Sequence, residues 1–265
     1  MKPAFAMALA LVAGTSVAQQ SPVADDHPVI ELRQYKIAPG KRDAMIALFD
    51  RAFVDSQEEV GARLVGQFRD MDDVDRFTWI RAFPNMATRQ RSLNDFYFGP
   101  TWHAHRGEAN AMLVDNDNVL LLRPAWRGSG FAAPASGRTA VGAPAPAAGV
   151  VVATIHYLWK APDEGLATFF RDRVAPRLHS AGLPVIGAYV PEEQANNFPP
   201  LPVRQGEKLF VWFSRANDHA AFDRAMRQLV RSKAWKDDVA GGLRDAEERR
   251  PQVLYLAPTP RSTLR

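Results

Sequence analysis

The strongest constraint on the fold of this chain is an internal repeat. The segments 77–82 (FTWIRA) and 210–215 (FVWFSR) lie 133 positions apart, and Trp102 precedes Trp235 by the same interval. Both segments are rich in aromatic and branched residues, which is typical of β-strands. Similarity at one fixed spacing over separate anchors predicts a duplicated domain.

Two further anchors fit the repeat if the second copy carries an insertion. The segment 119–124 matches 253–258 at an offset of 134, whereas Gly66 and Gly187 are only 121 apart. A Pro-rich stretch at 195–205 (ANNFPPLPVRQ) explains the shorter spacing. We therefore expect the second copy to have one extra loop between its second and third strands.

Each copy has the pattern strand, helix, strand, strand, helix, strand. This order predicts an α+β fold with two ferredoxin-like (β-α-β-β-α-β) domains, at 28–126 and 150–258, followed by a tail at 259–265. Helices on one face of such a sheet leave the other face as an apolar patch, which soluble proteins avoid. We expect the domains to pair sheet to sheet as a pseudo-dimer of the dimeric α/β-barrel type. Pairing between two chains, as a homodimer, is the alternative.

The segment between the copies has the composition of a linker. Ala, Pro and Gly dominate it (GSGFAAPASGRTAVGAPAPAAG), and apart from Phe131 it offers almost nothing to a core. Such a segment cannot offset the entropy lost on ordering, so we predict a flexible linker at 127–149.

The N-terminus predicts export. Lys2 precedes an apolar run at 4–13, and Ser16-Val17-Ala18 follows as a small-residue cleavage site. This is the pattern of a Sec-type signal peptide at 1–18, cleaved after Ala18, and it predicts a periplasmic or secreted protein. The alternative is a retained anchor or a buried helix, but the run is shorter than the ~20 residues that a membrane span needs.

Composition narrows the partners and the chemistry. The formal charge is only +4, which does not indicate a nucleic-acid partner, and no later stretch reads as a membrane span. The chain has no cysteine, which excludes disulfides, thiolate nucleophiles and Cys-based metal sites.

Alternation along the first strand suggests where a site would lie. Ile30 and Leu32 share one face, which suits a helix layer, so Glu31, Arg33 and Tyr35 are expected to face the space between the sheets.

The third strand has a similar face, with Phe77, Trp79, Arg81 and Phe83 on one side. If this face also points inward, the interior has aromatic walls and a few charges, as ligand pockets do. The alternative interpretation is ordinary packing with ion pairing. No Glu-Arg-Tyr row exists in the second copy, so any site is expected in the first half, with the second half as its lid.

The first copy, at 29–124, resembles the NIPSNAP family. The matching features are Glu31-Leu32-Arg33-x-Tyr35, Pro39-Gly40, Leu64-Val65-Gly66-Gln67-Phe68, Trp79, Tyr97-x-Gly99-Pro100-x-Trp102 and Leu120-Leu121-Leu122-Arg123-Pro124. The second copy keeps Trp212 and Trp235 but has lost the opening motif. The resemblance implies a dimeric α/β barrel with a poorly defined function. Related barrel superfamilies include haem-degrading and cofactor-independent monooxygenases and chlorite dismutase-like haem proteins.

The histidines give no clear metal site. His103 and His105 are two apart, whereas helical metal pairs are four apart, and no carboxylate cluster accompanies them. His156 lies in a strand, where a haem or ligand contact is the alternative to an ordinary core histidine. We expect no metal and no cofactor, with haem as the alternative.

Three functions remain open from the sequence. The first is binding of a small, partly apolar ligand between the paired sheets. The second is a cofactor-independent or haem-linked monooxygenase, and the third is a non-enzymatic scaffold. The candidate ligand-binding residues are Glu31, Arg33, Tyr35, Trp79, Arg81, Trp102 and Trp212.

Overall fold

The computed structural model describes residues 26–134, 137–144 and 149–265. The signal peptide expected at 1–18 lies outside the described residues, as do 135–136 and 145–148 of the expected linker. Among the described residues, no helix is both long and apolar enough to cross a membrane.

The first half contains five strands and four α-helices among its described residues. They are β1 Val29–Ile37, α1 Arg42–Leu48, α2 Val54–Glu59, β2 Arg63–Asp70, β3 Arg76–Phe83, α3 Met86–Tyr97, α4 Pro100–Met112, β4 Leu113–Asp115 and β5 Val119–Pro124. The described second half has β6 Val150–Leu158, α5 Glu164–Phe169, α6 Ala175–Ser180, β7 Val185–Pro191, β8 Leu209–Ala216, α7 His219–Arg231, α8 Lys233–Asp238, α9 Ala240–Ala246 and β9 Glu247–Pro258.

The strands form a closed antiparallel barrel. Eight of the described strands follow the order β3-β2-β9-β6-β8-β7-β5-β1, and the pairing of β1 with β3 closes the ring. The short β4 adds to the end of β1. The halves meet at two seams, β2 with β9 and β5 with β7. The chain is therefore a mixed α/β protein whose two sheets join edge to edge.

Local structure repeats between the halves as the sequence repeat predicts. The first helix of each half passes through one π-helical turn, at Phe49–Phe53 and at Phe170–Val174. The side chains of Asn85 and Asp218 cap α3 and α7 by accepting from backbone N–H groups. The similarity of the two halves therefore extends to backbone detail.

A β-bulge also recurs, next to the glycines that anchor the repeat. The register of β2 shifts beside Gly66, and that of β7 shifts beside Gly187. A Cβ on Gly66 would lie 2.3 Å from the ring of Phe68, and one on Gly187 would lie 2.9 Å from the ring of Tyr189. These positions need glycine because an aromatic ring folds back over the backbone.

The barrel interior is filled, and this corrects the assignment of strand faces. Ile30 and Leu32 point into the barrel, where they pack against residues of the second half such as Val151 and Leu254. Both are fully buried. The expected aromatic and charged space between the sheets does not exist, because small closed barrels are filled by their own side chains.

The predicted inward row points outward, against the helices. Tyr35 and Trp79 belong to a separate core with Met45, Phe49 and Phe53. The expectation that Glu31, Arg33 and Tyr35 face the other sheet is therefore wrong. The alternation correctly separates the two faces of β1. It does not indicate which face points outward, because both faces are buried and only Lys36 is exposed.

The expected linker and tail both make specific contacts. Phe131 is 2% exposed and packs in the barrel core, and its backbone N–H donates to the hydroxyl of Tyr189 at 2.7 Å. In the expected tail, Thr259 and Leu264 donate backbone hydrogen bonds to strand β2. The side chain of Leu264 joins the same core.

Candidate functional site

A cleft of about 330 Å³ lies between the outer face of the first half's sheet and its helices. Tyr35 and Trp79 contribute from β1 and β3, and Phe49, Phe53 and Gln57 contribute from the helix between β1 and β2. The other lining residues are Met45, Phe96, Tyr97, Phe98, Trp102, His103, Arg106, Ala109, Asn110, Leu113, Asn116, Phe198, Pro200 and Leu201. This volume is within the range of small-molecule sites.

The wall of the cleft is a network of aromatic rings. Tyr35 meets Trp79 edge to face, with ring centroids 5.6 Å apart. Trp102 lies 4.9 Å from Tyr97 and 5.6 Å from Phe53 by the same measure. Rings packed against each other in this way hold their positions without a ligand. The π-helical turn places Phe49 and Phe53 on this wall, and such turns often occur at functional sites.

The rim of the cleft includes a segment from the second half. Phe198 lies in the Pro-rich insertion and stacks on Tyr97, with centroids 5.7 Å apart and planes inclined by 27°. Leu201 of the same insertion lines the cleft. The insertion that breaks the spacing of the repeat therefore covers part of this cleft in the first half, and we call it the lid.

Behind the sheet side of the cleft lies a buried charge cluster. Glu31 accepts hydrogen bonds of 2.7 Å from Arg33, Arg81 and Arg89. All four side chains are fully buried. Arg33 and Arg81 lie on strands and Arg89 lies on α3, so the cluster ties that helix to the sheet.

The cluster favours the ionised form of its single carboxylate. Burial alone would raise the pKa of Glu31, but attraction to Arg81, Arg89 and Arg33 outweighs it and holds that pKa far below its usual range. Burial and repulsion from Arg81 and Arg33 lower the pKa of Arg89, against the attraction of Glu31.

The charged groups connect to the cleft through the residues that line it. Arg33 donates from Nε to the hydroxyl of Tyr35 at 2.9 Å, and Arg81 donates from Nη1 to Oε1 of Gln57 at 2.8 Å. Both guanidinium groups also lie near the ring of Trp79, at 5.4 and 5.1 Å from its centroid. The cluster thus forms a second layer behind Tyr35, Gln57 and Trp79.

The structure gathers six of the seven predicted site residues. Tyr35, Trp79 and Trp102 line the cleft. The other three, Glu31, Arg33 and Arg81, form the charge cluster behind it. Trp212 is the exception, because it lies in the core of the second half. There its indole N–H donates to Nε2 of His156 at 2.9 Å.

Sequence reasoning missed Arg89, although a signal for it exists. Arg89 lies three residues after Met86, four before Leu93 and seven before Phe96, all of which are buried on one face of α3. An arginine in such an apolar stripe needs a buried partner. Asn197 was also missed, and nothing in the sequence could connect it to the first half.

Among the described residues, the histidines do not come together with other ligand types in one group. His103 lines the cleft, and the ring of His105 lies 6.1 Å from that of Phe53. The other ring nitrogen of His156, Nδ1, lies 2.6 Å from Glu247, so both nitrogens of this buried residue have partners. Within the described ranges, no group of three or more His, Cys, Asp or Glu residues could hold a metal ion.

Fold and cleft define the class of protein: a closed antiparallel α/β barrel with a small-molecule-sized cleft on its outer face. A proposed monooxygenase from Lactobacillus acidophilus NCFM is similar in structure, with a TM-score of 0.53, 14% identity, and coverage of 88% of this chain and 94% of its own. An anthrone oxidase-like protein is similar at a TM-score of 0.54 and 12% identity, over 89% and 92% of the two chains. At these identities, the likeness concerns the fold alone.

The family of the first half follows from a sequence comparison. Residues 30–127 match the NIPSNAP family model, so the chain carries a NIPSNAP domain there and the resemblance is confirmed. A NIPSNAP-domain protein from Burkholderia xenovorans is 20% identical in sequence. The match covers 36% of this chain and 93% of that protein, with a TM-score of 0.34. No curated protein matches the sequence.

Proposed function

We propose that this protein binds a small, partly apolar ligand in the cleft between the first half's sheet and its helices. The observation that carries the proposal is the aromatic-walled volume of about 330 Å³, which a loop of the second half helps to cover. The proposed site therefore lies between the sheet and its helices and not between the two sheets, because the barrel interior is packed.

The lining is suited to a planar, largely apolar molecule. Rings of Trp79, Trp102 and Phe198 offer flat faces or edges, and Gln57 and Asn110 place polar groups among them. Ligand sites commonly combine a mainly apolar wall with a few polar groups that set orientation.

The experiment is a titration of two small aromatic probes, 2-naphthamide and 2-naphthoate, into the full chain by isothermal titration calorimetry. Asn110→Trp should block the cleft, because Asn110 is exposed on α4 and lines the opening. Ala104→Trp is the matched control, since it adds the same indole to an exposed position of the same helix that does not line the cleft.

We expect at least one probe to bind to the wild type and to Ala104→Trp, and to bind at least tenfold more weakly to Asn110→Trp. Absence of binding by both probes, or binding that Asn110→Trp leaves unchanged, would overturn the proposal.

A second candidate function is oxygenation of a bound ligand without a cofactor. It is favoured by the likeness in fold to proteins described as a proposed monooxygenase and as anthrone oxidase-like. In this chain, Tyr35 and His103 would be the groups able to move a proton at the ligand. Oxygen consumption with a hydroxyaromatic substrate, lost in Tyr35→Phe, would support it. Binding without oxygen consumption would leave binding as the function.

Two further expectations accompany this proposal. We infer that each half is a ferredoxin-like unit, because the strand orders β5-β1-β3-β2 and β9-β6-β8-β7 are the same. We also propose export with cleavage after Ala18. N-terminal sequencing of the mature protein from its own host tests the cleavage, and a chain that still begins at Met1 would contradict it.

A further inference from the structure

We infer that the ligand of this cleft carries a negatively charged group and belongs to the class of aromatic carboxylates. This inference rests on the proposed function and adds the chemistry of the ligand. It comes from an imbalance of buried charge, from the hydrogen-bond donors next to that charge, and from the absence of acidic residues among the described residues that line the cleft.

The charge imbalance lies directly behind the sheet side of the cleft. Arg33, Arg81 and Arg89 are fully buried, and Glu31 is the only carboxylate within ion-pair distance of them in the described part of the chain. Arginine stays protonated, and the lowered pKa of Glu31 keeps its charge at −1, so the cluster has a formal charge of +2. Buried charge is costly unless it is paired, and a bound anion would reduce this cost.

Tyr35, which lines the cleft, has a hydrogen-bond donor next to this positive charge. The hydroxyl oxygen of Tyr35 accepts from Arg33 Nε, which leaves the hydroxyl proton free for another acceptor. A donor polarised by a guanidinium forms a stronger hydrogen bond to an anion. Burial raises the pKa of Tyr35 to about 12, against the effect of Arg33, so this residue remains a donor at neutral pH.

A second donor lies beside the first. The indole N–H of Trp79 is buried without a hydrogen-bond partner, and Trp79 lines the cleft next to Tyr35. Unpaired buried donors are uncommon because each costs free energy. A carboxylate has acceptor sites enough for both groups.

The side-chain amide of Gln57, on the same side of the cleft, already has partners for both its oxygen and its nitrogen. Gln57 Oε1 accepts from Arg81, and Gln57 Nε2 donates to the carbonyl oxygen of Phe53 at 2.9 Å. On the α4 side, Arg106 adds another positive charge to the lining. The cleft therefore combines aromatic walls with donors and positive charge, which suits an aromatic acid better than an amine or a neutral arene.

The test compares 2-naphthoate with 2-naphthamide, which share one ring system and differ in charge. We expect the wild type to bind the acid at least about tenfold more tightly, because hydrogen bonds to charged groups contribute about that much. Tyr35→Phe, which removes one oxygen and keeps the ring, should reduce the preference to less than threefold, because the acid loses more affinity than the amide when a donor is removed.

A second variant addresses the charge itself. Arg33→Met leaves Glu31 paired with Arg81 and Arg89 and should also reduce the preference for the acid. Arg171→Met is the control, because Arg171 is an exposed arginine of the second half that pairs with Asp172. It should leave both affinities unchanged.

The outcomes separate the two proposals. Equal binding of acid and amide would overturn this inference and leave the proposed function standing. A preference for the acid that survives in both Tyr35→Phe and Arg33→Met would also overturn it, because other residues would then recognise the carboxylate. If neither probe binds, the proposed function fails and the inference fails with it.

Discussion

Arg89 of the first half donates from Nη1 to Oδ1 of Asn197 in the Pro-rich insertion of the second half, at 2.7 Å. The Nε of Arg89 donates at the same time to Glu31, and the Nδ2 of Asn197 donates to the carbonyl oxygen of Met86. The lid and the buried charge cluster therefore share one guanidinium group.

Asn197→Ala should loosen the lid. The change leaves Arg89 Nη1 with Asn196 as its partner, and we expect the free energy of unfolding to fall by about 1–3 kcal/mol, as for hydrogen bonds to charged groups. Probe affinity should fall with it, measured by calorimetry on the same samples. Asn94→Ala is the control, because the partly exposed Asn94 donates to the carbonyl oxygen of Gln90 within its own helix. An Asn197→Ala variant with wild-type stability and affinity would show that the lid is held by other contacts.

Glu31→Gln should be among the most destabilising single changes in the chain. It leaves three buried guanidinium groups without a counter-charge, and removal of one partner from a buried ion pair costs about 3–5 kcal/mol. Urea unfolding at neutral pH measures the loss. The matched control is Glu108→Gln, which removes an exposed partner of Arg51 and should cost less than about 1 kcal/mol. Comparable losses in the two variants would refute the role given to the cluster.

Asp50 should make stability depend on pH. Burial raises the pKa of its carboxyl to about 6, although Arg261, Arg69 and Arg138 oppose the shift. As the pH falls, the carboxyl of Asp50 therefore binds a proton at a higher pH in the folded state than in the unfolded state. The free energy of unfolding decreases as the pH rises from about 4 to about 6. Asp50→Asn should remove this fall and be more stable than the wild type above pH 6, by about 1 kcal/mol once partial exposure is allowed for.

Urea unfolding of the wild type and Asp50→Asn at about pH 5 and pH 8 measures this effect. Asp172→Asn serves as the control because that carboxyl is exposed. The prediction fails if the difference between Asp50→Asn and the wild type is the same at both pH values.

Phe131→Ala tests whether the connecting segment belongs to the barrel. The ring of Phe131 packs 4.9 Å from Phe213 and 5.1 Å from Tyr189, and deletion of a buried phenylalanine ring costs about 3–5 kcal/mol. Thermal or urea unfolding measures the loss. Phe98→Ala makes the same change at a ring that is 67% exposed and should cost far less. A small loss at Phe131 would return the segment to the role of a passive linker.

Much of the fold could be predicted from local patterns. The first and third strands, Val29–Ile37 and Arg76–Phe83, are long runs of β-favouring residues, which is why the predicted order of elements agrees with the structure there. The charged run 244–250 has the composition of a solvated helix face, but it crosses from α9 into β9. A short run of charged residues has no hydrophobic periodicity, so its sequence does not distinguish the beginning of a strand from the end of a helix.

The orientation of the site could not be predicted in the same way. Period-two alternation divides a strand into two faces, but it identifies the outer face only when that face is polar. In β1 both faces are buried, one by the barrel core and one by the helices. The pairing of Arg89 with Asn197 depends on a contact between residues 108 positions apart, and no local pattern carries that information.

The two seams between the halves have a consequence for how such a barrel can change over evolutionary time. In a barrel built from two identical chains, every substitution appears twice, and an insertion that covers one cleft also appears on the opposite side. Here the partners are covalently joined, so each accumulates changes independently. The Pro-rich insertion belongs to the second half and packs against the cleft of the first. Asymmetry of this kind allows one copy to specialise in recognition while the other specialises in support.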